Sequence, residues 1–568
     1  MANPLIPNLS SLKGYEGKTA LADAIAGTIL AILLVPQAMA YAQLAGLPPQ
    51  AGLYAALVPP VLYLLFGTSP FVSVGPVALI SLVIAEAASG TDVEVIEAAA
   101  IVGIEAGIIL AAIGALRLGR LVNFISEPVL LGFTASVAIL IFTSQLPTLI
   151  GTNPERAGNL PDALAAMWSV LPQWNVTTAA IGAAALALLL LFDWLAAPAL
   201  WKIGVRPPWR QAIAKSLPLL VVVGCAIAAS YVSADVARVS PPSGEMPSFS
   251  LPPLDPQLWL QFAPSALAVA VVIFATATAV AKSLAGSDRS RLDTSREAVA
   301  LGLGNIGASL TGGYAVSASL SRSALVEDSG GKTPIAHVIG AALVLAVILF
   351  FAPILAFLPE TALAALVISA VFGLIKPGEM KKVWQHDRLE GVVIAITFAA
   401  TLLLGVMLGL AVGALAGLAH HLWISSLPRV TRVDTNDGGR SFRSIERDEM
   451  DLRTLPILIL RIDRSLFFAN AAFVEDEFFR LLGEHDVVTC LVIDMRAVNA
   501  VDASGAAMMQ RLTERVHSQG IAIHFAAVHE PVRERLTRLD SNRCHFHRTV
   551  GDAMESCGSP QDEPIAPS

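Results

Sequence analysis

Residues 334–357 contain no Asp, Glu, Lys or Arg. As a helix rising 1.5 Å per residue, a run of this length can cross the roughly 30 Å hydrocarbon layer of a bilayer. Similar runs recur along the chain, from Thr19–Ala45 to about 408–424. Lipid offers the backbone no hydrogen-bond partners, so a chain built of such runs must fold as a bundle of helices. Composition agrees: 55% of the residues are hydrophobic and 14% charged, against about 25% charged in soluble domains. The chain reads as an α-helical polytopic membrane protein whose surroundings are a lipid bilayer, with no nucleic-acid partner.

About fourteen apolar segments are legible, in two sets of seven separated by the Pro-rich stretch from Ser240 to Pro256. In each set the third segment is short and interrupted by glycine. In the first half it reads Ser73-Val74-Gly75-Pro76-Val77-Ala78-Leu79-Ile80-Ser81-Leu82. Gly-Pro ends an extended piece and starts a short helix, because proline is tolerated at the first helical position. In the second half it is Gly312–Ser323, which holds two glycines, four serines and an arginine. Broken, polar backbone at membrane depth survives only where protein encloses it or where it lines a cavity. A helix N-terminus there presents unsatisfied N–H groups and about half a positive charge, which favours an anion. Interruptions at corresponding positions of two halves mark an inverted-repeat transporter and its binding site.

Basic residues crowd the loops on one side of this topology: Arg117 and Arg120, Lys202 to Lys215, Lys282 to Arg296, and Lys376 to Arg388. The opposite loops hold little more than Arg156 and Arg238. The basic side is cytoplasmic, which predicts a multi-pass protein of the cytoplasmic (inner) membrane with both termini in the cytoplasm. The expected parts are a cytoplasmic segment 1–18, a transmembrane transport domain 19–425, a polar linker 426–453, a small α/β domain 454–557 and a disordered tail 558–568. In the α/β domain, Leu455–Ile462, Val487–Asp494 and Ile521–Val528 read as strands. Ala469–Leu482, Ser504–Ser518 and Glu530–Leu539 read as helices. Cys225, Cys490, Cys544 and Cys557 lack metal-ligand spacing, so free thiols in a reducing compartment and no metal centre are expected. The chain carries no catalytic triad, so no enzyme is expected, and no P-loop for direct ATP drive.

In this order along the chain, PQAMAYAQLAGLPPQAGLYAA, GTSPFVSVGPVALISL, LRLGRLVNFISEPVLLGF, GLGNIGASLTGGYAVSASLSRSA and SGGKTPIAHVIGA resemble the sulfate permease (SulP) family of anion transporters, relatives of prestin and other animal anion exchangers. The tail stretch VIDMRAVNAVDASGAAMMQRL resembles the STAS domain of that family, a fold shared with anti-sigma-factor antagonists. The resemblance implies a 7+7 inverted repeat of the uracil-permease type. The first four spans of each half would form a core domain and the last three a gate domain. It further implies an anion held between the broken third and tenth spans, an elevator-like movement of core against gate, and a homodimer.

On that basis the tenth span supplies Ser319, Leu320, Ser321 and Arg322 to the anion. Val77 and Ala78, after Gly75-Pro76, form an apolar wall, and Gln37 and Tyr41 a side wall. Gln37 and Tyr41 are four residues apart and share a helix face. Pro36 removes a backbone donor where the first span is expected to break. Thr276 stands where many family members carry an acid in the eighth span, so carboxylate-based coupling has no group at that position. Glu105, an acid inside the fourth span, is the candidate for proton coupling, with a structural hydrogen bond as the alternative. No cofactor is expected beyond a coupling ion, Na+ or H+. Ser504 matches the position phosphorylated in anti-sigma antagonists, and Asp502 or Ser504 also suits a plain helix cap. A regulatory domain with a cytoplasmic protein partner is the expectation there.

The expected function is secondary active transport of small anions by alternating access, as exchange or as cation-coupled uptake. Sulfate is the family default, with bicarbonate and C4-dicarboxylates as further options. A unit charge pair about 4 Å apart at an effective dielectric of about 20 is worth on the order of 4 kcal/mol. That is roughly millimolar affinity, which lets an anion leave as well as enter. A channel-like anion conductor and a nucleobase-type permease of the same fold are the alternatives. Thr276 and the Ser/Arg-rich tenth span oppose the second.

Overall fold

The computed structural model describes residues 15–557 apart from 90, 121–125, 155–156, 205–208, 233–235, 241–243, 286–291, 435–442, 445–455, 485–486 and 539–543. The expected tail 558–568, most of the N-terminal segment and much of the linker 426–453 lie outside the described residues. The chain divides into two compact units, residues 1–417 and 418–568.

Ten helices among the described residues are long and apolar enough to cross a membrane. Ala78–Ala88, Thr294–Leu310, Leu320–Asp328 and Arg388–Leu404 also fall on expected segments but have 17 residues or fewer. Length and composition therefore do not meet the expected count of fourteen. Helix Gly17–Ala45 runs unbroken with Pro36 inside it, so the break expected at Pro36-Gln37 does not form. An interior proline costs about 3 kcal/mol in a helix. Here every residue from Leu33 to Ala42 is buried, and the surrounding helices hold the geometry that proline alone would loosen.

In lipid the hydrophobic effect does little to bring helices together, so close packing must do it. Gly107 and Gly302 meet where Val95–Ala115 crosses Thr294–Leu310. A Cβ added to either would lie 2.7 or 2.6 Å from the other's carbonyl oxygen, so any side chain there would push the helices apart. The most extensive helix packing falls in two groups, bridged by Gly17–Ala45, which also packs against Trp209–Val232 and Glu360–Val371. One joins Gly17–Ala45, Val95–Ala115, Pro256–Leu284, Thr294–Leu310 and Ile335–Leu355. The other joins Glu127–Leu149, Val176–Lys202, Trp209–Val232, Glu360–Val371 and Arg388–Leu404.

In the second unit a six-stranded sheet has the order Arg443–Ser444, Val430–Asp434, Ile457–Ile462, Cys490–Asp494, Ala522–Ala526, His545–His547. The last four strands are parallel. Helices Ala471–Gly483, Ala503–Ser518 and Glu530–Thr537 lie between strands in the chain. Strand alternation sends Leu491, Ile493, Ile523 and Phe525 into the main core. It sends Cys490, Val492 and Ala526 to the opposite face, beneath the terminal helix Val550–Cys557. Strand Val430–Asp434 falls inside the stretch expected as linker; it pairs antiparallel with Ile457–Ile462. Cys490 and Cys557 are disulfide-bonded across a sequence separation of 67, contrary to the expected free thiols. The terminal helix brings its last turn back over the start of Cys490–Asp494, a proximity that no local spacing encodes. Cys225 and Cys544 are not disulfide-bonded.

Candidate anion-binding site

The two interrupted segments meet. Val74–Gly75 and Ser317–Ala318 form a short antiparallel pair, with Val74 opposite Ala318 and Gly75 opposite Ser317. Each leads into a short helix, Ala78–Ala88 or Leu320–Asp328. Local chemistry explains the unwinding. Pro76 has no N–H to donate. Gly312 turns the chain at φ 76°, a conformation open to glycine. Gly313 passes so close to Ala55 that a Cβ would lie 2.7 Å from its backbone.

Side chains satisfy the unwound backbone, as a dry environment requires. Asn305 donates through Nδ2 to the Val316 carbonyl at 3.1 Å and accepts from the Val316 N–H at 2.8 Å. Ser323 Oγ accepts from the Ser73 N–H at 2.8 Å and donates to the Ser319 carbonyl at 2.6 Å. The Ser319 N–H donates to the Ser73 carbonyl at 3.0 Å. Tyr314 Oη and Ser81 Oγ are 2.9 Å apart. Of these residues, sequence reasoning gives a role to Ser319 and none to Asn305, Ser323, Tyr314 or Ser81. The available signal is a buried amide inside GLGNIGASL and hydroxyls at membrane depth.

Arg322 lies in the first turn of Leu320–Asp328 and is 1% exposed. Its Nη1 donates to the Pro76 carbonyl at 2.7 Å, so the guanidinium reaches across to the start of the other short helix. A Cβ on Gly75 would lie 3.4 Å from Nη2, and glycine lets the group approach the backbone. Nε and Nη2 are buried and have no partner among the described residues. Burying an uncompensated cation costs several kcal/mol. Two idle guanidinium donors, in a fork that suits oxyanions, fit a counter-ion that arrives as a ligand.

The other expected residues gather around this point. Val77 and Ala78 open the first short helix, with no side-chain cap on its amides. Ser319 caps the second, its Oγ accepting from the Arg322 N–H at 3.5 Å. Leu320 is 47% exposed and Ser321 is exposed as well, on either side of the turn from buried Arg322. Gln37 and Tyr41 are buried on Gly17–Ala45, which packs against both short helices. Gln37 Oε1 has no partner among the described residues. Thr276 donates to the Val272 carbonyl at 2.7 Å and lies 3.1 Å from Ser317 Oγ. Its hydroxyl thus ties the eighth expected span to the unwound strand.

Glu105 does not join this cluster by any hydrogen bond among the described residues. Its Oε2 is buried without a partner there, so that oxygen does not make the structural bond weighed as its alternative role. In the second unit, Asp502 caps Ala503–Ser518 by accepting from the Gly505 N–H at 2.8 Å. Ser504, one position into the helix, is exposed.

Residues 21–397 match the sequence model of the Sulfate permease family, and residues 451–553 match that of the STAS domain. "Sulfate transporter 4.1, chloroplastic" of Arabidopsis thaliana is 30% identical over 559 residues, covering 94% of this chain and 80% of that protein. Solute carrier family 26 member 10 of Mus musculus is 30% identical over 580 residues, covering 94% of this chain and 83% of that protein. Among solved structures, the murine Solute Carrier 26 family member A9 anion transporter in its inward-facing state superposes with a TM-score of 0.88 at 20% identity, covering 97% of this chain and 94% of that one. At that identity the likeness speaks for the fold alone. With the broken segments crossed around Arg322 and the family model matched over residues 21–397, this chain belongs to the sulfate permease family and carries a C-terminal STAS domain.

Proposed function

We propose that this protein is a secondary active transporter of small anions, with sulfate as its first substrate. It takes the anion where the two broken segments cross and moves it by an elevator-type shift of core against gate. The observation that carries this reading is Arg322, buried with Nε and Nη2 unpartnered among the described residues. Two helix N-termini add about one further positive charge. Sulfate is favoured by the relatives named as sulfate transporters. Bicarbonate stays open beside it: the transmembrane domain of a cyanobacterial bicarbonate transporter shares the fold at a TM-score of 0.59. The basic loops support cytoplasmic termini, and exposed Ser504 supports regulation at the STAS domain. The proposed assembly is a homodimer.

Uptake into proteoliposomes tests this. Labelled sulfate, bicarbonate and fumarate are compared with and without imposed Na+ and proton gradients. Saturable sulfate uptake, accelerated by unlabelled sulfate inside the vesicles, is the expected result. Flux that neither saturates nor responds to internal sulfate would mark a channel, and no flux of any of the three would refute the reading.

Glu105 is proposed as the proton-coupling group, because it is an acid inside an apolar span whose Oε2 is buried and unpartnered among the described residues. Glu105→Gln is then expected to remove the stimulation of uptake by an inward proton gradient while saturable binding persists. Undiminished stimulation in the variant would rule Glu105 out.

A further inference from the structure

The face of the STAS sheet that carries Cys490 also gathers histidines. Cys490 pairs in register with Ala522, and Val492 with His524. His524 in turn lies opposite His545, and Ala526 opposite His547. With a side-chain period of two, Cys490, His524, His545 and His547 share one face. Cys557, in the last turn of the terminal helix, closes over that face. The two sulfurs and a ring nitrogen of His524 lie within 4.8 Å of one another. Cys490 and His524 are each 2% exposed. His524 Nδ1 is 2.8 Å from His547 Nε2, and the His524 and His545 rings are 5.3 Å apart.

We infer that Cys490, Cys557 and His524 form a zinc site when the two cysteines are reduced. Two thiolates and one imidazole are a soft donor set that suits zinc(II), with a fourth position left for water. Tetrahedral zinc holds two thiolate sulfurs about 3.8 Å apart, a small separation from the bonded pair. The contact to His547 orients the His524 ring, as an outer partner does for a metal-ligating histidine. The disulfide and the metal exclude each other. A dithiol reductant gives the disulfide two electrons and two protons and leaves as its own cyclic disulfide. Zinc then displaces the two thiol protons. Metal or disulfide would each pin the terminal helix to the sheet, so the site makes that attachment responsive to both zinc and thiol state.

The test uses the full-length protein purified in detergent. After reduction with a dithiol and removal of excess metal, one zinc per chain is expected by elemental analysis, and none in the oxidised protein. Cobalt(II) in place of zinc should give a thiolate-to-cobalt charge-transfer band, which reports sulfur ligation without any substitution. Cys557→Ser should abolish that band and weaken zinc binding at least tenfold, whereas Cys225→Ser leaves both unchanged. His547→Gln should weaken binding about tenfold through the His524 ring. Reduced protein that holds no zinc and shows no cobalt band, equal binding by oxidised protein, or wild-type affinity in Cys557→Ser would overturn the inference.

Discussion

Arg322→Ala is expected to lower kcat/KM for sulfate uptake by at least about a hundredfold. Nε and Nη2 are the two donors available to a ligand, and hydrogen bonds between charged partners contribute about 1.5–3 kcal/mol each. Losing two amounts to roughly 3–6 kcal/mol, or more than two powers of ten in rate or affinity. Arg322→Lys keeps the charge but not the fork, so it should retain part of the uptake. Thermal unfolding in detergent separates a site effect from misfolding. Sulfate should raise the Tm of the wild type by mass action and leave that of Arg322→Ala unmoved. Without sulfate the variant should unfold no earlier than the wild type, because a buried, uncompensated cation has been removed. Wild-type uptake in Arg322→Ala would refute the site.

Asn305→Leu should be the most destabilising single change near the site, although Asn305 has no expected contact with the anion. It strips partners from both the N–H and the carbonyl of Val316. A buried backbone group left unpaired costs about 1–3 kcal/mol, so the pair is worth roughly 2–6 kcal/mol. Val316 precedes Ser317, which pairs with Gly75, so the loss should loosen the crossing itself. A large fall in Tm, with reduced uptake per folded molecule, is expected. Asn305→Asp, which keeps the acceptor for the Val316 N–H, should fall between. An unchanged Tm in Asn305→Leu would show that the unwound strand does not depend on this amide.

Much of the candidate site is legible in the chain because polar, glycine-rich sequence is conspicuous among apolar runs. Gly312–Ser323 and Ser73–Leu82 stand out for that reason, and Arg322 with them. Gln37 and Tyr41 come from the family resemblance, and helical spacing adds only that they share a face. Other features depend on neighbours. Pro36 reads as a break, yet the packed helix continues through it. Asn305 reads as one polar residue in a helix, and its role appears only when Val316 folds back beside it. Glu105 reads as a site acid, yet no hydrogen bond among the described residues links it to the cluster around Arg322. Val430–Asp434 reads as linker because a five-residue strand leaves little periodicity to detect.

By itself, the sequence determined that the chain is a membrane helical bundle with two interrupted segments and a small α/β domain. Those properties follow from hydropathy, from backbone chemistry in lipid and from residue periodicity, all of which act locally. Only the tertiary structure decided that the two interruptions pair strand to strand, and that Arg322 spans from one to the carbonyl of Pro76. It also decided that Cys490, His524 and Cys557 converge on one face of a sheet. Each of these is a contact between groups far apart in the chain. Its existence depends on how whole helices and strands pack, and no local pattern records that.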